Sequence, residues 1–286
     1  MIIVTGASGQ LGRAIVEQLL LRIPASQLGV VVRDPKKIVA LTEKGVRVRR
    51  GDFDDPESLA EAFAGASQVL VISVDTTGEK AVRLHAQAIE AARNAGAQRV
   101  LYTSHMGARL DSSFPPMPDH AATEALLHGC GLAFTSLHNG FYAANALRLM
   151  ERGLQTGELY LPEDGKVSWT THADLAEAAA TVLASESRFD GITPPLTASE
   201  AFDFNSLAAI ATEITGRQIK RITVTDERWR ENLVSHGMPA AQADLLVGLF
   251  KAARRGDFAT INPALESLLG RRPQTMRDVL VATLKP

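Results

Sequence analysis

Short apolar runs alternate with amphipathic stretches along the first half of the chain. Residues 1–4 form one such run, and Leu11, Ile15, Val16, Leu19 and Leu20 then recur at helical spacing, so a buried strand leads into a helix with one apolar face. The same reading predicts strands at residues 28–33, 46–50, 68–74, 99–103 and 133–137, with helices at 35–44, 56–63, 80–94 and 118–127 between them. Pro35, Asp55-Pro56 and Gly96 punctuate these elements as helix starts and stops. The fourth strand is apolar on both faces, as in a parallel sheet covered by helices on each side. Repeated strand-helix alternation at this spacing defines an α/β fold, a Rossmann-type doubly wound parallel sheet.

Beyond Gly140 the alternation decays. The pattern gives a helix at 142–151, an extended piece at 159–161 and a helix at 173–184, before a connection at Pro194-Pro195. A helix at 206–215, a strand at 219–224 and three or four helices over 226–284 follow. The expected organisation is a nucleotide-binding half, residues 1–150, and a smaller, mainly helical lobe on the substrate side, residues 151–286. With no repeat, low-complexity tract or linker, the two are expected to share one core.

Composition narrows the partners. The 286 residues carry 30 basic and 32 acidic side chains, a net charge of −2, which offers no field to hold a nucleic acid. The single cysteine, Cys130, cannot form an internal disulfide and reads as a small buried residue in a reducing compartment. No apolar run approaches the ~20 residues that span a bilayer, and the chain opens directly on a strand, so a cytoplasmic location is expected. Self-association into a homo-oligomer is left open. No cluster of residues suggests a metal site.

Candidate chemistry starts at Thr5-Gly6-Ala7-Ser8-Gly9-Gln10-Leu11-Gly12, between the first strand and its helix. Glycines there let the backbone turn tightly and approach a pyrophosphate, whose charge rests against the N–H groups at the positive end of the helix. Gly6, Ser8, Gly9, Gln10 and Leu11 are therefore expected to bind a dinucleotide. Ligands of a doubly wound sheet lie beyond the carboxyl ends of the strands, which directs attention to the other strand ends. After strand two, Arg33 would pair with a 2′-phosphate and Asp34 would bind a ribose diol; Arg33, with Lys36 and Lys37 beyond it, favours NADPH, with NADH the alternative. Asp52 and Phe53 could take the adenine, Ser73 and Val74 the middle of the cofactor, and Ser104 and His105 the region of the nicotinamide.

The Gly6, Gly9, Gly12 spacing resembles that of the short-chain reductases, and the resemblance implies a Tyr-x-x-x-Lys pair on the helix after strand five, which in that family protonates a carbonyl. Here His120 and Glu124 occupy those places. The substitution argues against ordinary ketone reduction and for an acceptor, such as a quinone or cationic dye, whose hydride adduct is already stabilised. The alternative view of His120 and Glu124 is an exposed i,i+4 pair with no chemical role.

Together the glycine loop, Val32-Arg33-Asp34-Pro35-Lys36-Lys37, Tyr102-Thr103-Ser104, His120-x-x-Thr123-Glu124 and Asn139-Gly140-Phe141-Tyr142-x-x-Asn145 resemble the NmrA-like atypical short-chain reductases, in particular their quinone and triphenylmethane reductase group. The resemblance implies an NADPH-dependent oxidoreductase that passes hydride to a quinone or similar small conjugated acceptor. It also implies that His138 and Asn139 line the cofactor, and that Tyr142, Asn145 and His172 join Ser104, His105 and His120 in a substrate cleft. Some NmrA-like proteins bind NAD(P) without turning it over, so a noncatalytic redox sensor is the competing expectation.

Overall fold

The computed structural model describes residues 1–185 and 189–284. The first half alternates β1 (Ile2–Thr5), α1 (Gln10–Leu20), β2 (Leu28–Val32), α2 (Val39–Glu43), β3 (Arg47–Arg50), α3 (Pro56–Phe63), β4 (Gln68–Val71), α4 (Glu79–Asn94), β5 (Arg99–His105), α5 (Pro116–Gly129) and β6 (Ala133–Asn139). Then come β7 (Phe141–Tyr142), α6 (Ala143–Thr156), β8 (Glu158–Pro162), β9 (Trp169–Thr170), α7 (His172–Ala184) and β10 (Gly191–Ile192). The chain continues with α8 (Phe204–Thr215), β11 (Lys220–Val224), α9 (Asp226–Ser235), α10 (Ala240–Arg254), α11 (Ala264–Leu269) and α12 (Met276–Leu284).

Seven strands pair in parallel in the order β10-β6-β5-β4-β1-β2-β3. The order reverses between β1 and β4, which puts the topological switch point at the glycine loop that follows β1. On one face, Ile15, Val16 and Leu19 of α1 pack with Ala176, Ala179 and Leu183 of α7 and with Leu265 and Leu268 of α11. On the other, Leu59 and Phe63 of α3, Ala88 and Ile89 of α4 and Leu127 of α5 cover Val69, Val71, Val100 and Tyr102. A third core, built on Trp169, Met150, Leu207, Phe250 and Phe258, sits over the strand ends. No helix of the described residues is long and apolar enough to cross a membrane.

Several boundaries differ from the sequence reading for identifiable reasons. The helix expected at 35–44 is a 3-10 turn (Pro35–Ile38) followed by the short α2, because only Ile38 of that stretch is buried and no apolar stripe holds a longer helix. β4 stops at Val71 because the N–H groups of Ile72 and Ser73 donate to the hydroxyls of Thr5 (2.9 Å) and Thr103 (2.8 Å) rather than to a neighbouring strand. β5 and β6 outrun their expected ends and stay paired through Ser104 with His138 and His105 with Asn139, polar positions that interrupt the apolar signal. The two-residue strands β7, β9 and β10 are too short to register in any periodicity.

Candidate active site

The glycine loop has the form of a phosphate cradle. Gly6 takes φ +62°, a left-handed turn that favours glycine, and its N–H donates to the Val31 carbonyl at 3.1 Å. A Cβ on Gly12 would lie 2.3 Å from the Gly6 carbonyl oxygen, so glycine alone lets α1 start this close to β1. Gly9 is extended (φ −82°, ψ 169°), and a Cβ there would meet only the Gly6 oxygen at 3.4 Å. Ser8, Gly9 and Gln10 are exposed, whereas the Leu11 side chain is buried in the core and leaves only its backbone to the loop. No side chain caps α1 and no acidic residue lies in its first turn, so the positive helix end is free to meet an anion.

Beside the cradle, Arg33 is exposed and has no ion-pair partner among the described residues. Asp34 is engaged as the cap of the following turn, accepting the Lys36 N–H at 3.1 Å. Asp52 is tied into its own loop, its Oδ1 accepting the Asp54 N–H at 3.1 Å and its N–H donating to Ser58 Oγ at 3.0 Å. Phe53, half-buried, packs on the edge of the core.

At the ends of β4, β5 and β6 the side chains form a directed network. The Val74 N–H donates to His85 Nε2 at 3.0 Å, so the His85 proton sits on Nδ1, which faces Thr123 Oγ1 at 2.9 Å and the Tyr102 oxygen at 3.4 Å. The Thr123 hydroxyl donates to the Asp119 carbonyl (2.8 Å). Tyr102 therefore donates to His120 Nδ1 at 2.7 Å. Burial pushes His85 down to about 4 and His120 down to about 3. His105 receives the Gly107 N–H on Nδ1 at 3.0 Å and is likewise pushed down by burial to about 3. All three imidazoles are neutral at physiological pH. Val74 can serve a ligand through its side chain or carbonyl but not through its N–H, which is spent on His85.

His120 and Glu124 are not an exposed i,i+4 pair. His120 engages Tyr102, while Glu124 is buried and its Oε1 accepts from Ser104 Oγ (2.6 Å), Ser136 Oγ (2.7 Å) and His138 Nε2 (2.7 Å). Burial alone would raise its pKa; the bonds from His138, Ser104 and Ser136 outweigh burial and hold the carboxyl below its ordinary range. Because Ser104 gives its proton to Glu124, it can only accept from a ligand. The alternation at Tyr102, Ser104, Ser136 and His138 explains this convergence: these positions share the sheet face that α4 and α5 cover.

An aromatic cluster follows the end of β6. Tyr142 stacks on His172 at 4.2 Å between ring centroids, with burial pushing the phenol up to about 12 and the imidazole down. Phe141 packs edge-on against His105 (5.2 Å), Phe258 (5.0 Å) and Trp169 (5.5 Å). A Cβ on Gly140 would lie 2.2 Å from Thr170 Oγ1, so this glycine is needed where the segment crosses β9. Asn145 opens onto a cavity of about 1180 Å³ between α6, α9 and α10, with Phe141, Leu149, Trp229 and Leu246 in its wall. The sequence reading gave no role to His85, Tyr102 or Thr123, although Tyr102 and Thr123 stand in motifs that carry the family resemblance. Their signal was a polar side chain on an otherwise apolar strand or helix face. No metal-binding group of three or more ligands occurs among the described residues.

Cradle, exposed arginine and strand-end polar groups together define a dinucleotide-binding α/β protein. The chain belongs to the NAD(P)H-binding family, matched over residues 6–186. It is 34% identical over 280 residues to quinone oxidoreductase 2 of Escherichia coli K12, covering 97% of this chain and 96% of that protein. The crystal structure of the E. coli NADPH-dependent quinone oxidoreductase 2 with NADPH superposes with a TM-score of 0.94 at 32% identity over all of both chains. The Citrobacter sp. triphenylmethane reductase complexed with NADP(H) gives a TM-score of 0.91 at 32% identity, covering 99% of this chain and 100% of that one.

Proposed function

We propose that this protein is an NADPH-dependent reductase that passes hydride directly to a quinone or similar conjugated acceptor. The observation that carries the reading is the pairing of an open phosphate cradle with a site where His85, His105 and His120 are held neutral and the usual Tyr-x-x-x-Lys acid is absent. The resident cofactor fits: a loop opened by Gly6, Gly9 and Gly12, an uncapped α1 and an Arg33 with no ion-pair partner among the described residues suit a pyrophosphate and a 2′-phosphate. NADPH bound there supplies a hydride, and a quinone that takes it with one proton from water leaves as the hydroquinone.

The chain's own residues bind and orient. The N–H groups of Ser8, Gln10 and Leu11, left free while those of Gly6 and Gly9 hold the turn together, bind the pyrophosphate, Arg33 the 2′-phosphate, and Asp52 and Phe53 the adenine. Ser73 and Val74 border the middle of the cofactor; Ser104, His138 and Asn139 border its nicotinamide end. Ser104 accepts but cannot donate, which suits a ribose hydroxyl or an amide N–H. Tyr142, Asn145 and His172 line the place of the acceptor, and the cavity beyond Asn145 gives room for a planar ring system. Proximity and orientation then contribute to the rate. The reading places the protein in the cytoplasm with a small molecule as its partner. Adding a simple quinone to protein and NADPH should give steady loss of absorbance at 340 nm; cofactor binding without turnover would instead identify a sensor.

A further inference from the structure

We infer that His120 is a catalytic residue, a neutral hydrogen-bond donor whose Nε2–H holds the acceptor's carbonyl oxygen as negative charge develops on it. The inference rests on the reductase reading above. Its basis is the direction of the hydrogen-bond chain. A backbone N–H can only donate, so the Val74 N–H at 3.0 Å fixes His85 Nε2 as an acceptor and puts its proton on Nδ1. That proton faces Thr123 and Tyr102, and Thr123, already donating to the Asp119 carbonyl, confirms the same direction independently. Tyr102, fully buried, is left to donate to His120 Nδ1 at 2.7 Å. The His120 proton must then sit on Nε2.

This nitrogen has no protein partner among the described residues, is open to solvent, and belongs to a partly exposed side chain. The His120 ring stacks on His105 at 6.3 Å, and His105 in turn packs against Phe141, the residue before Tyr142. His120 and Phe141 thus flank His105 at the end of β5, which puts the donor on the side from which the Phe141-Tyr142 segment leads to Asn145. Around the ring, His85, His105 and His138 disfavour an imidazolium and Glu124 favours one; Asp119 beside it is engaged by the Gly78 N–H at 2.7 Å. Burial and the imidazoles prevail, so the ring stays neutral. A neutral imidazole gives a hydrogen bond without giving up its proton, which suits an acceptor whose final proton comes from water.

The test compares His120→Phe, which keeps the ring and loses the donor, with His120→Gln, whose amide N–H replaces Nε2–H. With a simple quinone, His120→Phe should lower kcat/KM by about ten- to hundredfold, less than for a fully localised oxyanion because a hydroquinone anion spreads its charge. His120→Gln should stay within about threefold of wild type, and NADPH affinity should not change in either. In wild-type protein, 15N NMR should show a protonated Nε2 and a bare Nδ1 on His120 from pH 5.5 to 8. Wild-type kcat/KM in His120→Phe, an equal loss in His120→Gln, or an imidazolium or Nδ1–H form by NMR would each overturn the inference. Absence of quinone turnover in wild type would overturn the reductase reading, while the NMR result would still decide the state of His120.

Discussion

Replacing Arg33 by Ala should separate the two nicotinamide cofactors. The side chain is exposed and makes no ion pair among the described residues, so its loss costs the fold almost nothing, within the ±0.5 kcal/mol of an ordinary surface change. Bound to a 2′-phosphate it would make charge-assisted hydrogen bonds worth about 1.5–3 kcal/mol, or roughly 10- to 150-fold in Kd. Lys36 and Lys37 remain nearby and exposed, which places the expected loss near the low end. NADH, which has no 2′-phosphate, should bind as before, since Asp34 keeps its capping bond to Lys36. Titration of both cofactors by intrinsic or nicotinamide fluorescence, repeated at two salt concentrations, measures the difference. Equal weakening of NADPH and NADH, or none, would show that Arg33 does not read the phosphate.

Two glycines of the cradle should respond in opposite ways. Gly9→Val should fold with near-normal stability, because its backbone is extended and a Cβ finds only one contact at 3.4 Å, yet should abolish measurable cofactor affinity by filling the pyrophosphate space. Gly12→Ala should instead destabilise the fold by about 1–3 kcal/mol or more in urea titrations, since its Cβ would stand 2.3 Å from backbone that cannot turn aside. Acid should weaken the fold through its buried imidazoles. His85 and His105 are pushed down to about 4 and about 3 when folded, so from pH 7 to 5.5 the unfolded chain takes up protons that the native state refuses. Their contribution is complete above about pH 6.5 and is lost as pH falls below it, about 1.2 kcal/mol each by pH 5.5, measurable as the difference in unfolding free energy at the two pH values. Unchanged stability across that interval would mean that these histidines are not held neutral.

Much of the fold was legible because β1, β2, β4 and β5 carry short apolar runs separated by helices with one apolar stripe, and the order of such elements limits the topology. The glycine loop was legible too, since its spacing answers to one backbone turn and one helix approach, at Gly6 and Gly12. What escaped has physical reasons. Ser104, His105, His138 and Asn139 look like loop residues to a hydrophobic pattern, yet they continue β5 and β6 because main-chain pairing does not depend on the side chain. Glu124 and His138 lie fourteen positions apart, and His85 and Tyr102 seventeen, so nothing in local spacing reveals that they meet. The 3-10 turn at Pro35–Ile38 shows the converse, helix-compatible residues with too little buried surface to hold a full helix.

Hydride transfer from bound NADPH to a quinone is the claim on which the rest depends, and a single-turnover experiment tests it most directly. Protein loaded with one equivalent of NADPH is mixed in a stopped-flow instrument with a simple quinone, and absorbance at 340 nm is followed alongside hydroquinone formation. The account predicts a single fast decay with one hydroquinone formed for each NADPH consumed, absent in Gly9→Val. Persistence of the 340 nm absorbance while NADPH stays bound would contradict it.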